Sequence, residues 1–171
     1  SLCNMNIYDD YGVFEVGMSK FNEINKLSAL VRPHIAIITN ISEAHLENFK
    51  SIKEIAKAKS EIINNVQKDG VIVLNRDDRF FKYFFNRAKK SKKNVISFGY
   101  SKKADIKLLK INKNGQKFTL KISVENKTIF LKSNHSNKNH VMNILCTLCV
   151  LKELNLDFNK INSFFKSYTF L

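Results

Sequence analysis

The chain has 171 residues, 44% hydrophobic and 26% charged, which fits one soluble globular domain with a core of its own. No apolar run approaches the roughly 18 residues of a membrane span, and no basic-then-apolar leader opens the chain. The net charge of +14 admits a polyanion partner. However, the lysines are dispersed over exposed helix faces and turns such as Lys89-Lys90 and Lys92-Lys93, and the phenylalanines fall at core-like positions, so a solvated basic surface is the favoured reading.

The chain opens on Ser1 in mid-pattern, as a piece of a longer protein would. Residues 11–16 form a short, largely apolar segment that predicts a strand ending near Glu15. Residues 22–32 carry helical spacing at Ile24, Leu27, Ala29 and Leu30, and Pro33 stops that helix. Residues 35–39 are nearly continuous apolar, as in a strand buried on both faces of a parallel sheet. Ser51-Ile52-Lys53-Glu54 has the form of a capping box and opens a helix expected to reach about residue 66. A turn at Asp69-Gly70 precedes a buried strand over 71–74. Asp77-Asp78 then leads into a Phe-rich helix over 80–90, whose first turn favours acids through the helix dipole. A further strand covers 95–98.

This alternation predicts an α/β fold with a mostly parallel sheet flanked by helices. From residue 105 to 132 the hydrophobic period becomes two, with turns at Asn114-Gly115 and Glu125-Asn126. That pattern predicts a small antiparallel β-meander. A long apolar helix follows over about 139–154, and a shorter one over 159–166. Within the long helix Cys146-Thr147-Leu148-Cys149 is formally a CxxC. It sits in mid-helix with no second pair, so it reads as two small buried hydrophobes rather than a metal or redox site. The three segments are therefore a parallel α/β core over 1–100, the meander over 101–133 and C-terminal helices over 134–171.

Three residues stand out chemically. Lys59 falls in the middle of the apolar stripe formed by Ile52, Ile55, Ala56, Ile62, Ile63 and Val66. A bare ammonium there must snorkel or find a partner, Glu15 being one candidate. The sharper alternative is a carbamylated lysine, which would turn a cation into an oxygen ligand for a divalent metal. Glu15 is a strand-end acid, and His45 sits in the loop after the strand over 35–39. Each is separately compatible with a structural role. Together they could converge on a hard cation outside the carboxyl ends of the strands, where open α/β sheets build their sites.

The fixed spacing of Glu15-Val16-Gly17, Asn22-Glu23-Ile24, Arg32-Pro33, Ile38-Thr39-Asn40-Ile41, Ala44-His45-Leu46-Glu47, Ala58-Lys59-Ser60-Glu61 and Leu74-Asn75-Arg76-Asp77-Asp78 resembles the central, ATP-binding domain of the Mur ligase family. The likeness is dense from residue 13 to 78, thins through the meander and returns at 137–143. Within the family it is nearest the members that add a terminal dipeptide to a muropeptide. The resemblance implies a P-loop-type topology and a cytoplasmic, monomeric ATP- and Mg2+-dependent ligase. Its substrates would be UDP-N-acetylmuramoyl-tripeptide and D-alanyl-D-alanine, with no nucleic-acid partner. It further implies that Glu15 and His45 bind magnesium, that Lys59 is carbamylated and organises a second magnesium, and that His45 and Lys59 serve catalysis. Asn40 would lie beside the nucleotide phosphates and Asn143 near the base.

The sequence departs from the family at Asn22, where a glycine is usual, and around Asn137, Asn139 and His140, where the family tends to Gly-x-His. No Gly-x-x-x-x-Gly-Lys-Ser/Thr loop occurs in the chain. In the family that loop lies upstream, so the isolated chain is expected to be catalytically incompetent. Competing readings are another Mur-type ligase, including the folylpolyglutamate synthase-like ones, and a non-catalytic basic binding module.

Overall fold

The computed structural model describes residues 6, 8–42, 48–156 and 158. Among them a six-stranded sheet runs in the order β1-β2-β3-β4-β5-β6, which is also chain order. The strands are β1 (Ile35–Ile38), β2 (Val71–Asn75), β3 (Asn94–Gly99), β4 (Ile106–Asn114), β5 (Lys117–Val124) and β6 (Lys127–Ser133). The first four are mutually parallel, and β4, β5 and β6 pair antiparallel. The meander is thus continuous with the main sheet, joined through Phe98↔Ile106 and Gly99↔Lys107.

Among the described residues four α-helices cover the sheet: α1 (Glu23–Val31), α2 (Ile52–Lys59), α3 (Phe81–Lys90) and α4 (Lys138–Glu153). Alternation along β2 shows why both faces are dry. Val71 and Val73 join the core under α4 with Leu145 and Leu148. Ile72 and Leu74 join the opposite core, with Ile24 of α1, Ile55 of α2 and Phe84 of α3. A strand apolar at every position therefore feeds two cores at once.

Local chemistry explains the element ends. The Ser51 hydroxyl accepts from the Glu54 amide at 3.3 Å, and the Glu54 carboxylate accepts from the Lys50 amide at 3.0 Å. This is a capping box whose return bond lands one residue early. Asn137 caps α4 by accepting from the His140 amide at 2.8 Å. At the β5–β6 turn Glu125 and Asn126 both take positive φ, 47° and 66°, as a two-residue type I′ hairpin requires. Glu125 also pairs with Lys152 at 2.7 Å, fastening the meander to α4.

Three expectations need correction. Residues 11–16 form no strand: Tyr11 and Val13 are exposed. No described neighbour offers this segment a backbone ladder, and apolar content alone cannot make a strand without one. Strand β1 is not buried on both faces, because Ile37 is 40% exposed and, among the described residues, β1 pairs with β2 alone. The helix from Ser51 is α-helical only to Lys59, and Ser60–Asn65 continue it as a 3₁₀ helix. Ile63 within it is fully buried. The short helix over 159–166 lies outside the described residues.

Candidate active site

Parallel β1, β2 and β3 end on the same side of the sheet, and the loops leaving them frame a cleft of about 530 Å³, within the usual range for small-ligand sites. Thr39, Asn40 and Ile41 come from the end of β1. Asn75, Asp77, Asp78 and Arg79 come from β2 and the turn after it, and Phe98 from β3. The opposing wall is the first two turns of α4, through Lys138, Asn139, Met142 and Asn143. Asn139 and Asn143 are four residues apart and so share one helix face. The cleft lies where open α/β sheets take their ligands.

Asn40 and Asn143, far apart in sequence, line the same cleft. Lys59 is half-buried at the end of α2, and its Nζ donates to the Asn40 carbonyl at 3.1 Å. Its partner is this carbonyl rather than Glu15. Burial depresses the Lys59 pKa, and the nearby Asp78 charge only partly offsets that. Glu15 is exposed on an irregular segment and is not among the residues lining the cleft. His45 lies outside the described residues. Among the described residues no group of three His, Cys, Asp or Glu side chains is gathered as a metal site.

Several residues of the motif hold loops in place. Glu61 accepts from the Asn22 amide at 2.8 Å and the Asn25 amide at 3.2 Å, capping α1 from 39 and 36 residues away. Asn22 has φ 69°, the left-handed region that asparagine tolerates and glycine favours. That accounts for asparagine at this position. Glu23 accepts from the amides of Ser19 and Lys20, and these bonds hold its carboxyl below the usual range, the Ser19 amide first.

The adjacent acids Asp77 and Asp78 hold the cleft floor. Asp77 accepts from the amides of Tyr100 at 2.6 Å and Ser101 at 2.9 Å, and Gly99 packs so close that a Cβ there would sit 2.5 Å from an Asp77 oxygen. Asp78 accepts from the amides of Ile41 at 2.8 Å and Phe80 at 2.7 Å. Sequence reading took this pair as a helix start. Helix α3 does begin at Phe81, but the carboxylates also reach the loops after β1 and β3. Arg79 and Lys138, both lining the cleft, escaped sequence reading altogether. The signal was a basic residue straight after the acid pair and another at the first position of a long helix.

Of the three polar residues around the start of α4, Asn137 is spent on the cap and Asn139 faces the cleft. The ring of His140 instead meets the Ser133 hydroxyl, with Nε2 and Oγ 3.0 Å apart. The departure from Gly-x-His therefore leaves an amide, not an imidazole, on the cleft wall.

Comparison with known proteins decides the family. The model of the Mur ligase middle domain matches residues 3–151. The chain belongs to the Mur ligase family. It is 38% identical over 130 residues to the UDP-N-acetylmuramoyl-tripeptide–D-alanyl-D-alanine ligase of Rickettsia prowazekii, a match covering 75% of this chain and 29% of that relative. The chain thus spans under a third of that curated relative. MurF from Acinetobacter baumannii superimposes with a TM-score of 0.89 at 24% identity, over 99% of this chain and 37% of that one. The Thermotoga maritima MurF ligase, solved in complex with ADP, superimposes with a TM-score of 0.81 at 22% identity, over 95% and 38%. At these identities the superpositions speak for the fold: a mostly parallel Mur ligase sheet carrying an antiparallel meander.

Proposed function

We propose that this Mur ligase middle domain serves an ATP- and Mg2+-dependent amide ligase that adds D-alanyl-D-alanine to UDP-N-acetylmuramoyl-tripeptide in the cytoplasm. The supporting observation is the cleft at the carboxyl ends of β1–β3, which carries both Asn40 and Asn143 in a chain so similar to a ligase of that name. ATP would phosphorylate the tripeptide carboxylate, giving an acyl phosphate and ADP. The dipeptide amine would then attack the acyl carbon, forming the amide and expelling phosphate.

The cleft suits a nucleotide: asparagine amides can both donate and accept, and Arg79 and Lys138 place positive charge on facing walls. In this reading Asn40 lies beside the phosphates and Asn143 beside the base. Glu15, His45 and a carbamylated Lys59 would hold magnesium, and His45 and Lys59 would thereby serve catalysis. Magnesium supplies neutralisation of charge on the transferring phosphoryl group. An ammonium cannot ligate a metal, whereas a carbamate would offer two oxygens, and burial of Lys59 favours the neutral amine that adds CO2.

The test compares the complete protein carrying this chain with the 171-residue chain alone. The complete protein should release ADP only when both UDP-N-acetylmuramoyl-tripeptide and D-alanyl-D-alanine are supplied. The chain alone, which has no Gly-x-x-x-x-Gly-Lys-Ser/Thr loop, should release none above background. ADP release by the chain alone, or none by the complete protein with both substrates, would overturn the reading.

A further inference from the structure

One peptide unit at the cleft is gripped on both of its polar atoms. The peptide joining Asn40 to Ile41 offers its carbonyl to Lys59 Nζ at 3.1 Å and its N–H to the Asp78 carboxylate at 2.8 Å. The peptide dipole thus lies between a Lys59 Nζ–H donor at its negative end and an anion at its positive end, and a carbamylated Lys59 would keep one N–H at Nζ for the same bond. The second Asp78 oxygen is taken by the Phe80 amide at 2.7 Å, so each carboxylate oxygen already has a backbone donor. Asp78 lines the cleft with its oxygens turned to backbone, which suits a brace better than a ligand. The strand end it braces is the one that presents Asn40, just where β1 stops at Ile38 and the sheet ladder no longer holds the chain.

We infer that Asp78 is a positioning residue of the nucleotide cleft: it fixes the Asn40–Ile41 peptide from the N–H side, against Lys59 on the carbonyl side, and so sets where Asn40 stands. The consequence for nucleotide affinity rests on the proposed ligase function, whereas the bracing itself does not. Charge-assisted bonds to backbone are among the stronger ones, and losing such a bond also strands the donor. Ile41 is buried, so water cannot readily replace the lost acceptor. Asp78→Ala removes both bonds, whereas Asp78→Asn keeps one acceptor oxygen and the side-chain volume.

Two measurements test the inference. Amide hydrogen exchange on the 171-residue chain reads the brace directly. In Asp78→Ala the Ile41 amide should exchange about tenfold faster or more, with Ile72 and Val73 in the sheet unchanged, and Asp78→Asn should fall between. Steady-state kinetics of the complete protein reads the consequence. Asp78→Ala should raise KM for ATP about tenfold and leave KM for D-alanyl-D-alanine unmoved, with Asp78→Asn again intermediate. A merely structural residue would lower the active fraction, and hence kcat, without this split. Should Asp78→Ala not fold, Asp78→Asn carries both measurements. Unchanged Ile41 exchange, or a fall in kcat with KM for ATP unmoved, would overturn the inference. A complete protein with no ATP-dependent ligation would sink the functional reading, and the exchange result would still decide the brace.

Discussion

Glu61 allows the sharpest separation of scaffold from chemistry, because it sits two residues from Lys59 inside the motif and yet serves another helix. Its carboxylate accepts from the amides of Asn22, the N-cap of α1, and Asn25, three residues on. It replaces the missing side-chain cap of that helix. Loss of a helix N-cap costs about 1 kcal/mol, and an anion at a helix N-terminus contributes roughly 0.3–1 kcal/mol more. Both bonds lie in partly exposed surroundings, so the lower half of the charge contribution applies. Glu61→Ala should therefore cost about 1.5 kcal/mol, and Glu61→Gln, which keeps one oxygen acceptor without the charge, about half of that. For a domain of this size the Ala variant should melt roughly 3–6 °C lower. Urea unfolding followed by far-UV circular dichroism gives the free energy. Repeating it near 1 M salt should shrink the Gln deficit, since only its charge–dipole part is screened. If Glu61→Ala leaves the midpoint unchanged, or if Gln and Ala lose equally at low and high salt, the carboxylate is not the cap of α1.

Two further outcomes follow from the same structure. Burial, and secondarily His135, lowers the pKa of His140 below its ordinary 6.5. The unfolded chain then binds the proton first, so stability should fall as pH drops below about 6.5. His140→Asn should flatten that part of a urea-midpoint series from pH 5 to 8, and an unchanged slope would refute the assignment. The thiols of Cys146 and Cys149 are buried, and burial pushes the first up to about 12 and raises the second as well. Of the three cysteines in the chain, at most Cys3 should react quickly with Ellman's reagent in the folded protein, and all three should react after unfolding. Rapid reaction of two or more native thiols would return the CxxC to consideration as a chemical site.

What the sequence revealed and what it concealed divide along the range of the interactions involved. The capping box at Ser51–Glu54, the turn at Glu125-Asn126 and the period-two meander are all decided within a few residues, and each was legible. Residues 11–16 had the apolar composition of a strand, but a strand exists only against a neighbour, and composition is silent on whether one is present. Ile35–Ile38 reads as a doubly buried strand for the same reason. Its residues suit that place, but among the described residues it pairs with β2 alone.

The cleft divides in the same way. Asn40 and Asn143 could be named from their resemblance to family motifs, and they do face one space. The braces that shape that space could not be named. Glu61 reaches α1, Asp77 reaches the loop after β3, and Asp78 reaches the loop after β1, over separations of 23 to 39 residues. In each case an acid is taken up by backbone amides of a distant loop or helix end. Ordering a strand-end loop has an entropic cost that no ladder repays, and a carboxylate that binds two amides at once is a compact way to offset it. Acids at the carboxyl ends of parallel strands should therefore be tested against the neighbouring loops' orphan amides before any of them is counted as a metal ligand. By that test Asp77, Asp78 and Glu61 are already occupied, whereas Glu15, exposed on its irregular segment, is the described acid of the motif still to be weighed as a magnesium ligand.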